Sequence, residues 1–212
     1  MDFKSLNRRG FMLILSSPSG AGKTTICRSV LSKDPRISLS ISATTRPMRP
    51  GEEEGVDYFF KTEEEFKAMI EADEFLEWAH VFGNYYGTLK KTVYEAMEEG
   101  KDILFDIDWQ GAQQLKEVAS EDVVTIFILP PSRDELESRL RNRAQDEECV
   151  IKERMEKANS EISHYTEYKY IIINQELDSS IDKVESIVKS ERLTRRRLTG
   201  LNAFVRELMD HN

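Results

Sequence analysis

The 212-residue sequence predicts an α/β fold in which a mainly parallel sheet is covered by helices on both faces. Three observations carry that prediction. Short apolar runs alternate along the chain with stretches of helical spacing. The first run, Phe11 to Leu15, leads through a glycine-rich turn directly into a helix. A later run, Ile103-Leu104-Phe105, finishes in Asp106-Ile107-Asp108, at the strand end where open α/β sheets bind ligands.

Composition sets the bounds. A chain of 212 residues is one domain, or one domain carrying insertions, and can bury a substantial core. A formal charge of -9 argues against nonspecific nucleic-acid binding. The basic cluster Arg195-Arg196-Arg197 is flanked by helix-forming sequence and reads as a solvated helix face. Two cysteines, Cys27 and Cys149, make no disulfide framework, which fits a reducing cytosol. His80, His164 and His211 lack partners at metal-ligand spacing, so a zinc site held by the protein is not expected. Lys4, Arg8 and Arg9 precede an apolar run of only about five residues, too short for a secretory signal, and no stretch reaches membrane-spanning length.

The glycine-rich turn comes first in the chain and matters most. Ser17-Pro18-Ser19-Gly20-Ala21-Gly22-Lys23-Thr24-Thr25 follows the pattern of a phosphate-binding loop, with Ser17 where the strict pattern has glycine. Strand, turn and helix in that order aim backbone N–H groups and the positive helix end at one point, where a polyphosphate binds. Gly20 and Gly22 let the backbone curl inward. Lys23 reaches the β- and γ-phosphates, and Thr24 offers its hydroxyl to a magnesium ion.

Beyond the loop helix, Ile37, Leu39 and Ile41 alternate with serines as a half-buried strand. Thr44 to Glu52 is a loop stiffened by prolines, with Arg46 and Arg49 three residues apart. Val56 to Phe60 reads as a strand, and Thr62-Glu63-Glu64-Glu65 as a capping box opening a helix through about Ala72. Glu74 to Phe82 is a further strand, Gly83-Asn84 a turn, and Thr88 the cap of a helix that Gly100 ends. Residues 37–88 thus interrupt the strand–helix rhythm and form an insert.

The rhythm resumes with the strand closing at Asp106 and Asp108, whose spacing of two on a strand puts both carboxylates on one side. A helix over Trp109 to Val118 and a buried strand over Val123 to Leu129 follow. Ser132 caps a helix bearing Arg139, Arg141 and Arg143, and after an acidic turn, Gln145 to Glu148, a second helix carries Arg154. Tyr170 to Ile173 gives the last buried strand, ending at Asn174. An amphipathic helical tail closes the chain, able to pack on its own core or on a second subunit.

Six stretches in this order resemble the guanylate kinases: Ser17 to Thr25; Ser42 to Arg49 with Tyr58; Phe75-Leu76-Glu77-Trp78; Gly83 to Thr88; Leu104 to Gly111; and the arginines from 139 to 154. The resemblance implies one domain built as a P-loop kinase core (1–36, 89–131 and 167–212). It also implies a small mixed α+β insert that binds GMP (37–88) and a helical lid (132–166). It implies Mg-dependent phosphoryl transfer from ATP to GMP in the cytoplasm, with no nucleic-acid or membrane partner.

Residue by residue, Ser17 to Thr25 and Asn174 are then expected at ATP. Arg46, Arg49, Tyr58 and Tyr86 are expected at the GMP phosphate, and Ser42, Glu77, Thr88 and Asp108 at the base. Thr24 and, through water, Asp106 are expected at magnesium. Lys23, Arg46, Arg139, Arg143 and Arg154 are expected around the transferred group. The chemistry agrees: arginine forks grip phosphate bidentately, and a carboxylate facing the adjacent N–H donors of guanine discriminates it from adenine. A protein-binding scaffold of the same fold would lack Lys23 and lid arginines. A kinase for another acceptor would not need Glu77, Ser42 and the Arg46/Arg49 pair.

Overall fold

The computed structural model describes residues 6–143 and 148–210, and within these every side chain except those of 142, 143 and 148–150. In chain order the first half comprises β1 (Met12–Ser16), α1 (Lys23–Lys33), β2 (Ile37–Leu39), β3 (Ser42–Thr44), β4 (Phe59–Phe60), α2 (Glu63–Glu71), β5 (Phe75–Val81), β6 (Asn84–Leu89) and α3 (Lys90–Glu98). The second half comprises β7 (Asp102–Asp106), α4 (Trp109–Ala119), β8 (Val123–Leu129), α5 (Arg133–Arg143), α6 (Glu148–Ser163), β9 (Tyr170–Ile173), α7 (Leu177–Arg192) and α8 (Leu201–Met209), with 3-10 turns at His164–Glu167 and Arg195–Arg197.

Five strands form one all-parallel sheet in the order β2-β7-β1-β8-β9. Every residue of β1 is buried, as the centre of a sheet covered on both sides requires. Alternation divides it: Leu13 and Leu15 join Ile26, Val30, Val184 and Val188 on one face, while Met12 and Ile14 join Phe105, Phe127, Val93 and Leu115 on the other. The α/β prediction with helices on both faces holds.

The second sheet, β4-β3-β6-β5, has its own small core of Ala43, Phe66 and Phe75, with Phe66 stacked on Phe75 at 4.4 Å. Phe66 comes from α2, whose N-terminus carries the expected capping box: Glu65 N donates to Thr62 Oγ1 and Thr62 N to the Glu65 carboxylate. Helices α5 and α6 pack on each other through Leu136, Leu140, Ile151, Met155 and Ala158. Ser132 caps α5 as expected, its hydroxyl accepting from Glu135 N.

Several local expectations are corrected. Ile37–Leu39 pairs with β7 in the main sheet, so the second sheet begins at Ser42 rather than 37. The strand expected from Val56 shrinks to Phe59–Phe60, because Gly55, with φ +75°, and a turn occupy 55–57. Thr88 caps no helix; it lies inside β6, and α3 starts from Leu89 without a side-chain cap. Asp108 lies beyond β7 and caps α4, accepting from Gln110 N and Gly111 N, so strand alternation does not relate it to Asp106. The Arg195–Arg197 cluster is solvated only in part: Arg195 and Arg196 are exposed, whereas Arg197 is buried over the Phe11 ring and donates to Glu191. The acidic turn at 145–147 and the Cys149 side chain lie outside the described residues.

Candidate active site

Between β1 and α1 the chain curls into the phosphate loop. Gly20 and Gly22 take φ of +90° and +96°, and a Cβ on Gly22 would stand 2.5 Å from Asn174 Nδ2, so only glycine fits there. Helix α1 has no acidic residue in its first turn and no side-chain cap, which leaves its first N–H groups and positive dipole end facing outward. They face a cleft of about 540 Å³ lined by Ser17, Pro18, Ser19, Gly20, Gly22, Lys23, Thr24 and Thr25, together with Arg28, Asp108, Arg139 and Glu161. Lys23 is paired with Asp106 at the end of β7 and reaches Ile107 O at 3.5 Å. Lysine, hydroxyls and amides converging on one cleft are what a polyphosphate needs.

Asn174 is placed differently from the expectation at ATP. It is buried beneath the loop, donating from Nδ2 to Ala21 O at 2.8 Å and accepting at Oδ1 from Ser180 Oγ at 2.9 Å. Both amide atoms are engaged, so the side chain holds the loop from behind. Ala21 is likewise fully buried.

The second sheet builds the other half of the site. Ser42 stands opposite Thr88 across β3 and β6, and Thr88 opposite Glu77 across β6 and β5. Directly opposed residues share a face, so the three side chains lie abreast. Thr88 Oγ1 donates to Glu77 Oε1 at 2.7 Å. Burial, the largest influence, and the nearby Asp108 carboxylate push the Glu77 carboxyl above the usual range, against the opposing hydrogen bond from Thr88. Glu77, Asp108 and Gly111 line a pocket of about 190 Å³, and Asp108 belongs to both this pocket and the phosphate cleft. Gln114 of α4 clamps β5 beside it, accepting from Trp78 N and donating to Trp78 O.

Two residues along β6 from Thr88, Tyr86 meets Tyr58 edge-on at 6.2 Å, and the Arg46 guanidinium lies 5.2 Å over the Tyr58 ring. The Arg46 fork grips Glu52 bidentately at 2.7 and 3.1 Å, and Glu52 also accepts from Arg49 N. The guanidinium side chain of Arg49 is exposed at the loop's rim. A fork held by a carboxylate is shaped for a phosphate, which offers the same paired oxygens.

The structure therefore sets Glu77 on a pocket that shares Asp108 with the phosphate cleft, and gathers Arg46, Tyr58 and Tyr86 farther along the second sheet. Among the described residues of the cleft wall, α5 contributes Arg139 and α6 contributes Glu161. Arg139 donates to Glu135 at 2.8 Å, Arg154 is half-buried on α6, and the Arg143 side chain lies outside the described residues. Sequence reasoning missed Arg28, Glu52, Glu161 and Gln114. Arg28 was reachable, since it follows Thr24 by one helical turn, and so was Glu52, in the same loop as Arg46 and Arg49; Glu161 and Gln114 act across distances that no local spacing encodes.

Comparison with known proteins adds an independent line. Residues 9–191 match the family model described as Guanylate kinase. The chain is 58% identical over 206 residues to the guanylate kinase of Nitrobacter winogradskyi, covering 97% of this chain and 94% of that protein. It is 56% identical to that of Rhizobium etli, covering 96% and 92%. The crystal structure of guanylate kinase from Anaplasma phagocytophilum superposes with a TM-score of 0.73 at 36% identity, covering 98% of this chain and 99% of that one. With residues 9–191 matched by that family model and more than half of the aligned positions identical to these two relatives over nearly the whole chain, the protein belongs to the guanylate kinase family.

Proposed function

We propose that this guanylate kinase transfers the terminal phosphoryl group of ATP to GMP, giving ADP and GDP, with the two substrates meeting at Asp108. The row Ser42–Thr88–Glu77, ending at a pocket that shares Asp108 with the phosphate cleft, is the observation that carries this reading. Guanine presents two adjacent N–H donors to Glu77 and a carbonyl to Ser42. Arg46, with Tyr58 and Tyr86 beside it and Arg49 at the rim, takes the GMP phosphate, which replaces Glu52 on the Arg46 fork.

A GMP phosphate oxygen attacks the terminal phosphorus of ATP while the bond to the bridging oxygen breaks, and ADP leaves. That oxygen is already ionised at neutral pH, so no general base is required. The protein's work is alignment and positive charge: Lys23 and the α1 amides on the donor phosphates, Arg139, Arg143 and Arg154 from the lid around the transferred group. Lid closure excludes water and suppresses hydrolysis of ATP.

Thr24 and Asp106 fit a magnesium ion carried by the nucleotide. Both are hard oxygen donors beside Lys23, and such an ion takes one or two protein oxygens and keeps waters and phosphates for the rest. Magnesium supplies charge neutralisation on the phosphates when bound. We place the reaction in the cytoplasm, a setting in keeping with a free, buried Cys27; among the described residues no helix is long and apolar enough to cross a membrane.

The test is ADP formation from ATP and magnesium with GMP, AMP, UMP or CMP, each against a blank without acceptor. Turnover with GMP alone is expected. Turnover with another acceptor overturns the roles of Glu77 and Ser42.

A further inference from the structure

Glu161 lies in the last turn of α6, and its Oε2 accepts from the backbone N–H of Ser19 at 3.1 Å, across 142 residues of sequence. Both groups line the phosphate cleft, as does Arg139 from the other lid helix. A carboxylate thus sits on an N–H of the loop whose business is phosphate. The position of that N–H matters. Lys23 and the first amides of α1 stand at the inner end of the loop, where the phosphates common to di- and triphosphates are held. Ser19 stands four residues earlier in the loop, on the side that meets α6.

One N–H cannot serve Glu161 and a phosphate oxygen together, and two anions forced to share it repel each other. We propose that Glu161 is a specificity-determining residue of the donor site. Its carboxylate competes with the terminal phosphate of a nucleoside triphosphate for the Ser19 amide, lowering affinity for the triphosphate while leaving the diphosphate alone. The inference rests on the loop being the donor site, as argued above. When the triphosphate enters, Glu161 gives up the amide and turns toward Lys157, one helical turn before it on α6. When the phosphoryl group has gone to the acceptor, Glu161 takes the amide back, so the charge left on the loop by the lost phosphate is replaced and ADP is not held by a vacated donor.

Titration calorimetry on the full chain tests this, using the magnesium complexes of a non-hydrolysable ATP analogue and of ADP. Glu161→Gln and Glu161→Ala are each expected to bind the ATP analogue about tenfold more tightly, the effect of relieving one like-charge contact at a partly exposed site. ADP affinity is expected to stay within about twofold. If both nucleotides shift together, or neither shifts in protein with a wild-type circular dichroism spectrum, or the analogue binds more weakly, the proposal is wrong. A merely structural lid contact would move both nucleotides alike. Lys23→Ala separates this failure from a deeper one. It must weaken both nucleotides, and if it does not, the loop is not the donor site. If it does while the ATP-to-ADP ratio ignores Glu161, only the competition fails.

Discussion

At Glu77, the residue we propose for recognition of the base, burial carries a cost in stability. Its carboxyl is buried, and burial raises its pKa above the ordinary carboxylate value. A raised folded-state pKa contributes stability that is present below the unfolded value and lost as pH rises through the folded one. Once ionised, Glu77 is therefore a cost to the fold. Glu77→Gln keeps an oxygen to accept from Thr88 and removes the charge. It is expected to raise Tm at pH 7 by about 2–4 °C, the shift that one kcal/mol gives a chain of this size, and the gain should vanish below about pH 4, where the carboxyl is protonated folded and unfolded. The same change turns one acceptor into a donor facing guanine's N–H groups, and kcat/KM for GMP should fall about a hundredfold or more. In the wild type, KM for GMP should rise as pH drops through the raised Glu77 pKa, with kcat less affected. A KM for GMP that stays flat from the ordinary carboxylate range upward would remove Glu77 from the base pocket.

At the scale of elements, the phosphate loop and the support beneath it can be tested separately. Ser17 is not among the residues with positive φ, so the glycine of the strict pattern is dispensable there, and Ser17→Gly should change kcat/KM by less than about threefold. Asn174 is different because Ala21 O and Ser180 both depend on it. Asn174→Asp sets a carboxylate oxygen against the Ala21 carbonyl, while Asn174→Ala leaves a buried carbonyl unmet, a loss of about 1–3 kcal/mol. Both should raise KM for ATP about tenfold or more, with Asp the worse. A direct contact with adenine would instead change the preference between ATP and GTP as donor and leave stability alone. Elements with local signatures were legible in the sequence: the loop by its glycines, α2 by Thr62 and Glu65, α5 by Ser132. What was not legible depended on pairing between distant segments. Nothing within Ile37–Leu39 says that β7 rather than β6 is its neighbour. Thr88 before a helical stretch reads as a cap until Glu77, across the strand, claims its hydroxyl. Asn174, at a strand end where ligands bind, reads as a ligand until the loop folds over it.

Across the whole molecule, chemistry and stability sit at opposite ends of the main sheet. The phosphate loop, Asp106 and Asp108 gather at the C-terminal ends of the strands, whereas Asp102 opens β7 at the other end and is wholly buried. Asp102 accepts from both terminal nitrogens of Arg8, at 2.6 and 3.1 Å, and from Arg192 Nε at 2.7 Å, while Arg192 also donates to Asp34. One carboxylate thus ties the segment before β1, the start of β7 and the end of α7 into a single knot. Asp34 answers to the same knot. Burial pushes its carboxyl up, but the hydrogen bonds from Arg192 and Arg36 win and hold it at about 2, so its contribution is present above about pH 4 and lost as pH falls toward 2. Asp102→Asn turns one accepting oxygen into a donor against a buried guanidinium and removes the charge that Arg8 and Arg192 share, leaving Arg192 with Asp34 alone. Breaking a buried pair in this way costs about 3–5 kcal/mol, which for a chain of this length lowers Tm by about 6–20 °C. No side chain of the knot lines the phosphate cleft or the base pocket. Well below the lowered Tm, kcat and both KM values of Asp102→Asn should therefore stay within about twofold of wild type. A variant that kept its Tm would show that the knot holds nothing together, and one that lost activity while still folded would show that the two ends of the sheet are coupled.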